Sequence, residues 1–234
     1  VGMTSLSANT TGDHNVAVGV SALALNTTAN SNTAVGFEAL CKNTTGSNLT
    51  AVGAYALDAN TTGASNTAIS GGALTKNTTG DFNVAVGTNA LCTNVTSDSN
   101  TAVGYFALRL NTGASNTAVG LCSLEANTTG TSNVAIGFEA SRLNTEGTGN
   151  VAVGYEALDA NTTGGVNVAV GYRALKVNTT AGNNVAIGYA SLQANTTGTC
   201  NTAVGTNALL ANTTAVGNTA VGMNSLDANT TGFN

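Results

Sequence analysis

The chain has 234 residues, a formal net charge of −5, only 7 % charged residues, and neither proline nor tryptophan. With an isoelectric point near 4.5 it has no basic footprint for nucleic acid. No apolar run approaches the roughly 18 residues of a membrane-spanning helix, so no membrane insertion is expected in this segment.

One unit recurs from end to end. Asn150-Val-Ala-Val-Gly-Tyr-Glu-Ala-Leu-Asp-Ala-Asn-Thr-Thr-Gly-Gly-Val166 is one copy. The glycine of Ala-Val-Gly serves as position 0. It falls at Gly2, Gly19, Gly36, Gly53, Ser70, Gly87, Gly104, Gly120, Gly137, Gly154, Gly171, Gly188, Gly205 and Gly222, which makes 14 copies. Every step is 17 residues except Gly104 to Gly120, which is 16. The missing residue lies in Asn111-Thr112-Gly113, where most copies read Asn-Thr-Thr-Gly, so that stretch is loop. A fixed period of this length is the signature of a solenoid.

Within the unit the elements follow in order. Asn-Val-Ala-Val-Gly (positions −4 to 0) is predicted as a short strand, and Tyr-Glu-Ala-Leu-Asp-Ala (+1 to +6) as a second extended piece. Asn-Thr-Thr-Gly (+7 to +10) is predicted as the corner, with Asn and Gly supplying left-handed conformations. The interior glycine and the Thr-Thr runs argue against helix. Stacked coils would pair their strands in parallel. The prediction is an all-β parallel β-solenoid, a β-roll of about 14 coils, continuous over residues 1–234. The chain starts and stops inside a unit and shows no capping unit, so it reads as a fragment of a longer protein.

Position −1 is Val or Ile in every copy, and position +4 is Leu in all but one, where Ser141 stands. Both rows are expected inside the coil. On that assignment Val153→Asp buries an unpaired charge and disrupts pairing. The Ala and Gly of positions −2 and 0 then face outward as a small-residue strip that would pack against another chain. Asparagines at −4 and +7 are expected to form amide ladders. Position +5 reads Arg109, Glu125, Arg142, Asp159 and Lys176 in five successive units, alternating in sign, and position +2 places Glu156 before Arg173. In-register coils would set each charge beside its opposite. Cys41 and Cys92 share position +5 three coils apart, roughly 14 Å at about 4.8 Å per coil, beyond disulfide reach. Free thiols are expected.

The unit, above all Asn133-Val-Ala-Ile-Gly137 and Asn184-Val-Ala-Ile-Gly188, resembles the head repeat of trimeric autotransporter adhesins, the YadA-like family. With Asn-Thr-Thr-Gly between copies it is also similar to repeat shafts of phage tail-fibre-like and bacterial surface proteins. The resemblance implies a β-roll with three chains around one axis. It also implies an extracellular, cell-surface or virion fibre whose partners are its own copies and a surface receptor or glycan.

No catalytic, cofactor or metal residue emerges. The single histidine, His14, is a loop residue, no Gly-Lys-Ser/Thr follows the glycines, and most loops lack the Asp of calcium-binding solenoids. The chain is read as a structural fibre or filament shaft with no catalysis. Two alternatives stand beside it. Asn-x-Thr sequons at Asn9, Asn26, Asn43, Asn48, Asn60, Asn77, Asn94, Asn127, Asn161, Asn178, Asn195, Asn212 and Asn229 are candidate N-glycosylation sites, and suggest a glycoprotein matrix or coat filament. Asn at +7 and Thr at +9 sharing one face suggests ice binding. Aromatics gather at +1: Phe37, Tyr105, Phe138, Tyr155, Tyr172 and Tyr189. They read as a stacked or packing ladder, with an adhesive stripe as the functional option.

Overall fold

The computed structural model describes residues 1–232. Their only regular secondary structure is thirteen strands of three residues each, with no helix. The chain forms two units. Val1–Ser115 holds β1 (Val16–Val18), β2 (Thr33–Val35), β3 (Thr50–Val52), β4 (Thr67–Ile69), β5 (Val84–Val86) and β6 (Thr101–Val103). Asn116–Asn234 holds β7 (Thr117–Val119), β8 (Val134–Ile136), β9 (Val151–Val153), β10 (Val168–Val170), β11 (Val185–Ile187), β12 (Thr202–Val204) and β13 (Thr219–Val221).

Within each unit every strand pairs in parallel with the next, copy upon copy. Val151, Ala152 and Val153 lie against Val168, Ala169 and Val170, and Thr33, Ala34 and Val35 against Thr50, Ala51 and Val52. Each unit is a parallel β-solenoid with a period of about 17 residues, built on six strands in the first and seven in the second. Fourteen copies of position 0 give thirteen strands because Val1 alone precedes Gly2.

The strand faces are the reverse of those expected. In every strand the central alanine is buried and its two neighbours are half-buried or exposed. Ala152 is 0 % exposed, whereas Ile136 is 41 % exposed. The coil interior explains this. It already holds Leu at +4, Ala or Ser at +3 and two asparagines per turn, all buried. Only a methyl group fits beside them on the strand, so the β-branched residues face outward. The expected Ala/Gly docking strip therefore does not exist, and Val153→Asp would not bury a charge.

Position 0 needs glycine for a different reason. Gly154 has φ +139, and a Cβ there would lie 2.4 Å from the carbonyl oxygen of Gly171 in the next coil. Backbones stack too closely at Gly154 for a side chain, and the conformation favours glycine, from which Ser70 is the one departure at position 0.

Positions +1 to +6 are turns, not a second extended strand. Glu156 and Leu158 have φ of 51° and 54°, and the same two positions are left-handed in coil after coil. Their backbone groups still bond along the stack: Glu156 N–H donates to Phe138 C=O at 2.9 Å, and Leu158 N–H to Ala174 C=O at 3.0 Å. A left-handed leucine costs about 1–2 kcal/mol. It is held because its side chain completes the interior row Leu158, Leu175, Leu192 and Leu209, each 0 % exposed.

The corner is held by side chains. Neither Asn161 nor Gly164 is left-handed, contrary to expectation. Asn161 Nδ2 donates to Gly164 C=O at 2.9 Å, and Asn150 Nδ2 reaches the same carbonyl at 2.8 Å. One carbonyl thus ties the strand entry to the corner across the coil.

Candidate functional site

The asparagines at +7 form an internal spine. Asn161 Nδ2 also donates to Asn144 Oδ1 at 2.7 Å, and Asn178 Nδ2 to Asn161 Oδ1 at 2.9 Å. Asn43, Asn60 and Asn77 repeat the pattern in the first unit. The row at −4 adds a backbone donor to the amide link: Asn150 N–H donates to Asn133 Oδ1 at 2.9 Å, and Asn167 Nδ2 donates to Asn150 Oδ1 at 3.1 Å. The spine loses a link at the shortened loop. Asn111 Nδ2 turns to Gly113 C=O at 2.7 Å, and Asn94 Oδ1 has no partner.

This placement bears directly on the sequons. Asn26, Asn43, Asn60, Asn77, Asn94, Asn127, Asn161, Asn178, Asn195 and Asn212 are each 0 % exposed. Asn9 and Asn229, in the terminal coils, are half-buried, and Asn48 alone is exposed. Asn48 does not belong to the spine. It sits at −5, left-handed at φ 60°. An interior amide with both protons bonded is no acceptor in the folded roll, so the expectation of accessible loop asparagines fails for the +7 row. The structure likewise separates Asn at +7, inside, from Thr at +9, outside, as at Asn161 and Thr163. The shared face behind the ice-binding alternative is absent.

The outer surface carries the variable chemistry. Phe138, Tyr155, Tyr172 and Tyr189 stack in one column, with ring centroids 5.0, 5.2 and 5.1 Å apart and planes within 7°, 10° and 4°. The rings cover one another's faces and present their edges, which favours the ladder reading over sugar stacking. Elsewhere Phe37 meets Tyr55 edge-on at 5.3 Å, and Tyr105 stacks on Phe106 at 3.9 Å.

The charge rows pair across coils as the register requires. Arg142 meets Asp159 at 3.1 Å and Arg173 meets Glu156 at 2.8 Å. Lys176 departs from the expected column and joins Glu156 at 2.6 Å. Hydrogen bonding by Lys176, then by Arg173, holds the Glu156 carboxyl below the usual range. Partly exposed pairs contribute at most about 1 kcal/mol each.

The remaining reactive groups lie apart. All four cysteines are free. Burial, then the Glu125 carboxylate, pushes the Cys122 thiol up to about 11, opposite to what a nucleophile needs. His14 is exposed. Among the described residues no cluster of three or more His, Cys, Asp or Glu could hold a metal ion, and no helix is long and apolar enough to cross a membrane. An open apolar groove lies along Val177, Gln193, Ala194, Leu210 and Ala211, uncharged residues of positions +5 and +6.

Comparisons with protein-family models, with curated proteins and with solved structures return no match.

Proposed function

We propose that this chain is the shaft of an extracellular fibre or filament, on a cell surface or a virion, assembled from copies of itself and performing no catalysis. The observation that carries the reading is the coil-on-coil register of the interior. Strand, leucine row and asparagine spine all repeat on the same step. Each coil satisfies its neighbour's backbone and amide groups, so a chain with small side chains gains stability from length.

The outward β-branched rows offer a lateral surface for self-association. Val18, Val52, Ile69, Ile136 and Ile187 are exposed to between 37 % and 44 %. Such a strip, repeated at every level, suits burial against a second chain. Three chains packed on these rows would form the trimer implied by the adhesin resemblance. A surface receptor or glycan is the partner expected at the fibre exterior.

Light scattering coupled to size exclusion, together with negative-stain microscopy, tests the proposal. The expected result is a particle of three chains with elongated images. A monomer at every concentration, compact in projection, defeats it. Surface display is tested separately by antibody labelling of intact cells or particles of the source.

A further inference from the structure

We propose that Tyr155, Tyr172 and Tyr189 form an oxidative cross-linking site, at which a peroxide-driven one-electron oxidant joins neighbouring coils of one chain through dityrosine. This stands on its own geometry and does not depend on the fibre reading. Tyr155 and Tyr172 stack at 5.2 Å, and Tyr172 and Tyr189 at 5.1 Å, with their planes within 10° and 4°. Three phenols are thus held as nearest neighbours on successive coils of a parallel register. The rings are 40 %, 38 % and 54 % exposed, so an oxidant can reach their outer edges.

The chemistry balances simply. Each of two adjacent phenols loses one electron to the oxidant and its hydroxyl proton to a base. The resulting phenoxyl radicals carry spin on the carbons ortho to oxygen, and two such carbons form one C–C bond. Each coupled carbon's hydrogen then moves to its phenol oxygen, which restores both aromatic rings. One hydrogen peroxide takes the two electrons and two protons and leaves as water. A base is at hand for the first ring. Partial desolvation, then the neighbouring Glu156 carboxylate, keeps the Tyr155 phenol protonated above its usual range. That carboxylate is itself held ionised by Lys176 and Arg173, so it can receive the proton that an oxidised phenol releases readily.

The same chain contains its own controls. The rings packed against Tyr55 and Tyr105 are the phenylalanines Phe37 and Phe106. Neither tyrosine has a tyrosine ring against it among the described residues, so neither should couple within the chain. Phe138 ends the column on one side, because it stacks on Tyr155 but has no phenol to oxidise.

The test oxidises the whole chain with a haem peroxidase and limiting hydrogen peroxide. An equal mixture of light and isotope-labelled chains is used, followed by peptide mapping. The expected products are dityrosine-linked peptides pairing Tyr155 with Tyr172 and Tyr172 with Tyr189, each carrying a single label type. Tyr172→Phe keeps the ring and the stack, and should abolish both links while leaving the melting curve unchanged. The proposal is overturned by absence of dityrosine or by links of mixed label only. It is equally overturned by comparable coupling at Tyr55 and Tyr105, or by an undiminished yield in Tyr172→Phe.

Discussion

Ser141→Leu should stabilise the protein. Ser141 occupies position +4, where the neighbouring coils place Leu124 and Leu158, both 0 % exposed. Its backbone already has the required left-handed form, φ 50° against 54° for Leu158. Its hydroxyl is buried with no hydrogen-bond partner. Leucine adds about three buried carbons at about 0.8 kcal/mol each. Removing the unsatisfied hydroxyl is worth about 1–3 kcal/mol more. Ordering the leucine costs about 0.5–1 kcal/mol, and imperfect fit costs about 1–3 kcal/mol. The balance is a gain of about 2 kcal/mol. The assay is the urea midpoint with native-state hydrogen exchange at Leu124, Ser141 and Leu158, because a repeat array can open locally. The midpoint should rise, and exchange at these amides should slow by about tenfold or more. The mirror variant Leu158→Ser should lower the midpoint by at least as much. A Ser141→Leu protein less stable than the parent would refute the continuous interior row.

Four further outcomes follow from the same geometry. Ala152→Asp places a charge at a site 0 % exposed and should cost the roll about 3 kcal/mol or more, whereas Val153→Asp, on the outer face, should cost a dissociated chain under about 1 kcal/mol while weakening the proposed lateral assembly; equal melting losses in the dissociated chains would contradict the strand orientation. Gly154→Ala drives a Cβ to 2.4 Å from the Gly171 carbonyl at φ +139, so thermal unfolding should show a loss of about 2–4 kcal/mol, with Gly165→Ala in the loop as a milder comparison. Because the Glu156 carboxyl is depressed, its contribution is complete above the ordinary glutamate range and fades as pH falls through the lowered value; Glu156→Gln should flatten that acid limb in melts measured across pH. Expression through an N-glycosylating secretory pathway should give a folded fraction with no glycan on the fully buried +7 asparagines and Asn48 as its best acceptor, read by glycosidase release with mass mapping.

The period, the parallel register and the asparagine ladders could be read from the residues, because each depends on repetition alone. Cross-coil pairs such as Arg142 with Asp159 and Glu156 with Arg173 could be read for the same reason. The strand faces could not be read from hydrophobicity. Val at −1 is more apolar than Ala at −2, and the usual preference would bury it. The deciding quantity is volume, set by Leu and two asparagines arriving from elsewhere in the coil. A signal for it was present: position −3 interchanges Thr67 with Val84, as an outer face permits, while position −2 never departs from alanine. The left-handed leucines left no such trace, since leucine rarely adopts that conformation. The sequons misled because one residue type serves two ends: the asparagine that heads Asn-x-Thr at +7 is the one whose amide ties the corner from inside, while the threonine of the motif, as at Thr163, stands outside.

Constancy and variation divide largely between inside and outside, with the outward Val or Ile of position −1 as the exception. The +7 spine and the −2 alanines admit no exchange between Ala17 and Ala220, because each side chain there is measured against the copy above and below. Position 0 admits one: Ser70, at φ 103°, is followed by Gly71 and Gly72, which supply freedom the serine lacks. Position −5, on the outside, passes through His14, Ser31, Asn48, Phe82, Val166 and Cys200, all left-handed yet chemically unrelated. A fold of this kind fixes its rungs and leaves its surface open to change. Recognition by such a surface is best served by rows where several consecutive coils agree on a residue type that the interior does not require, as in the β-branched row at −1 and the column from Phe138 to Tyr189.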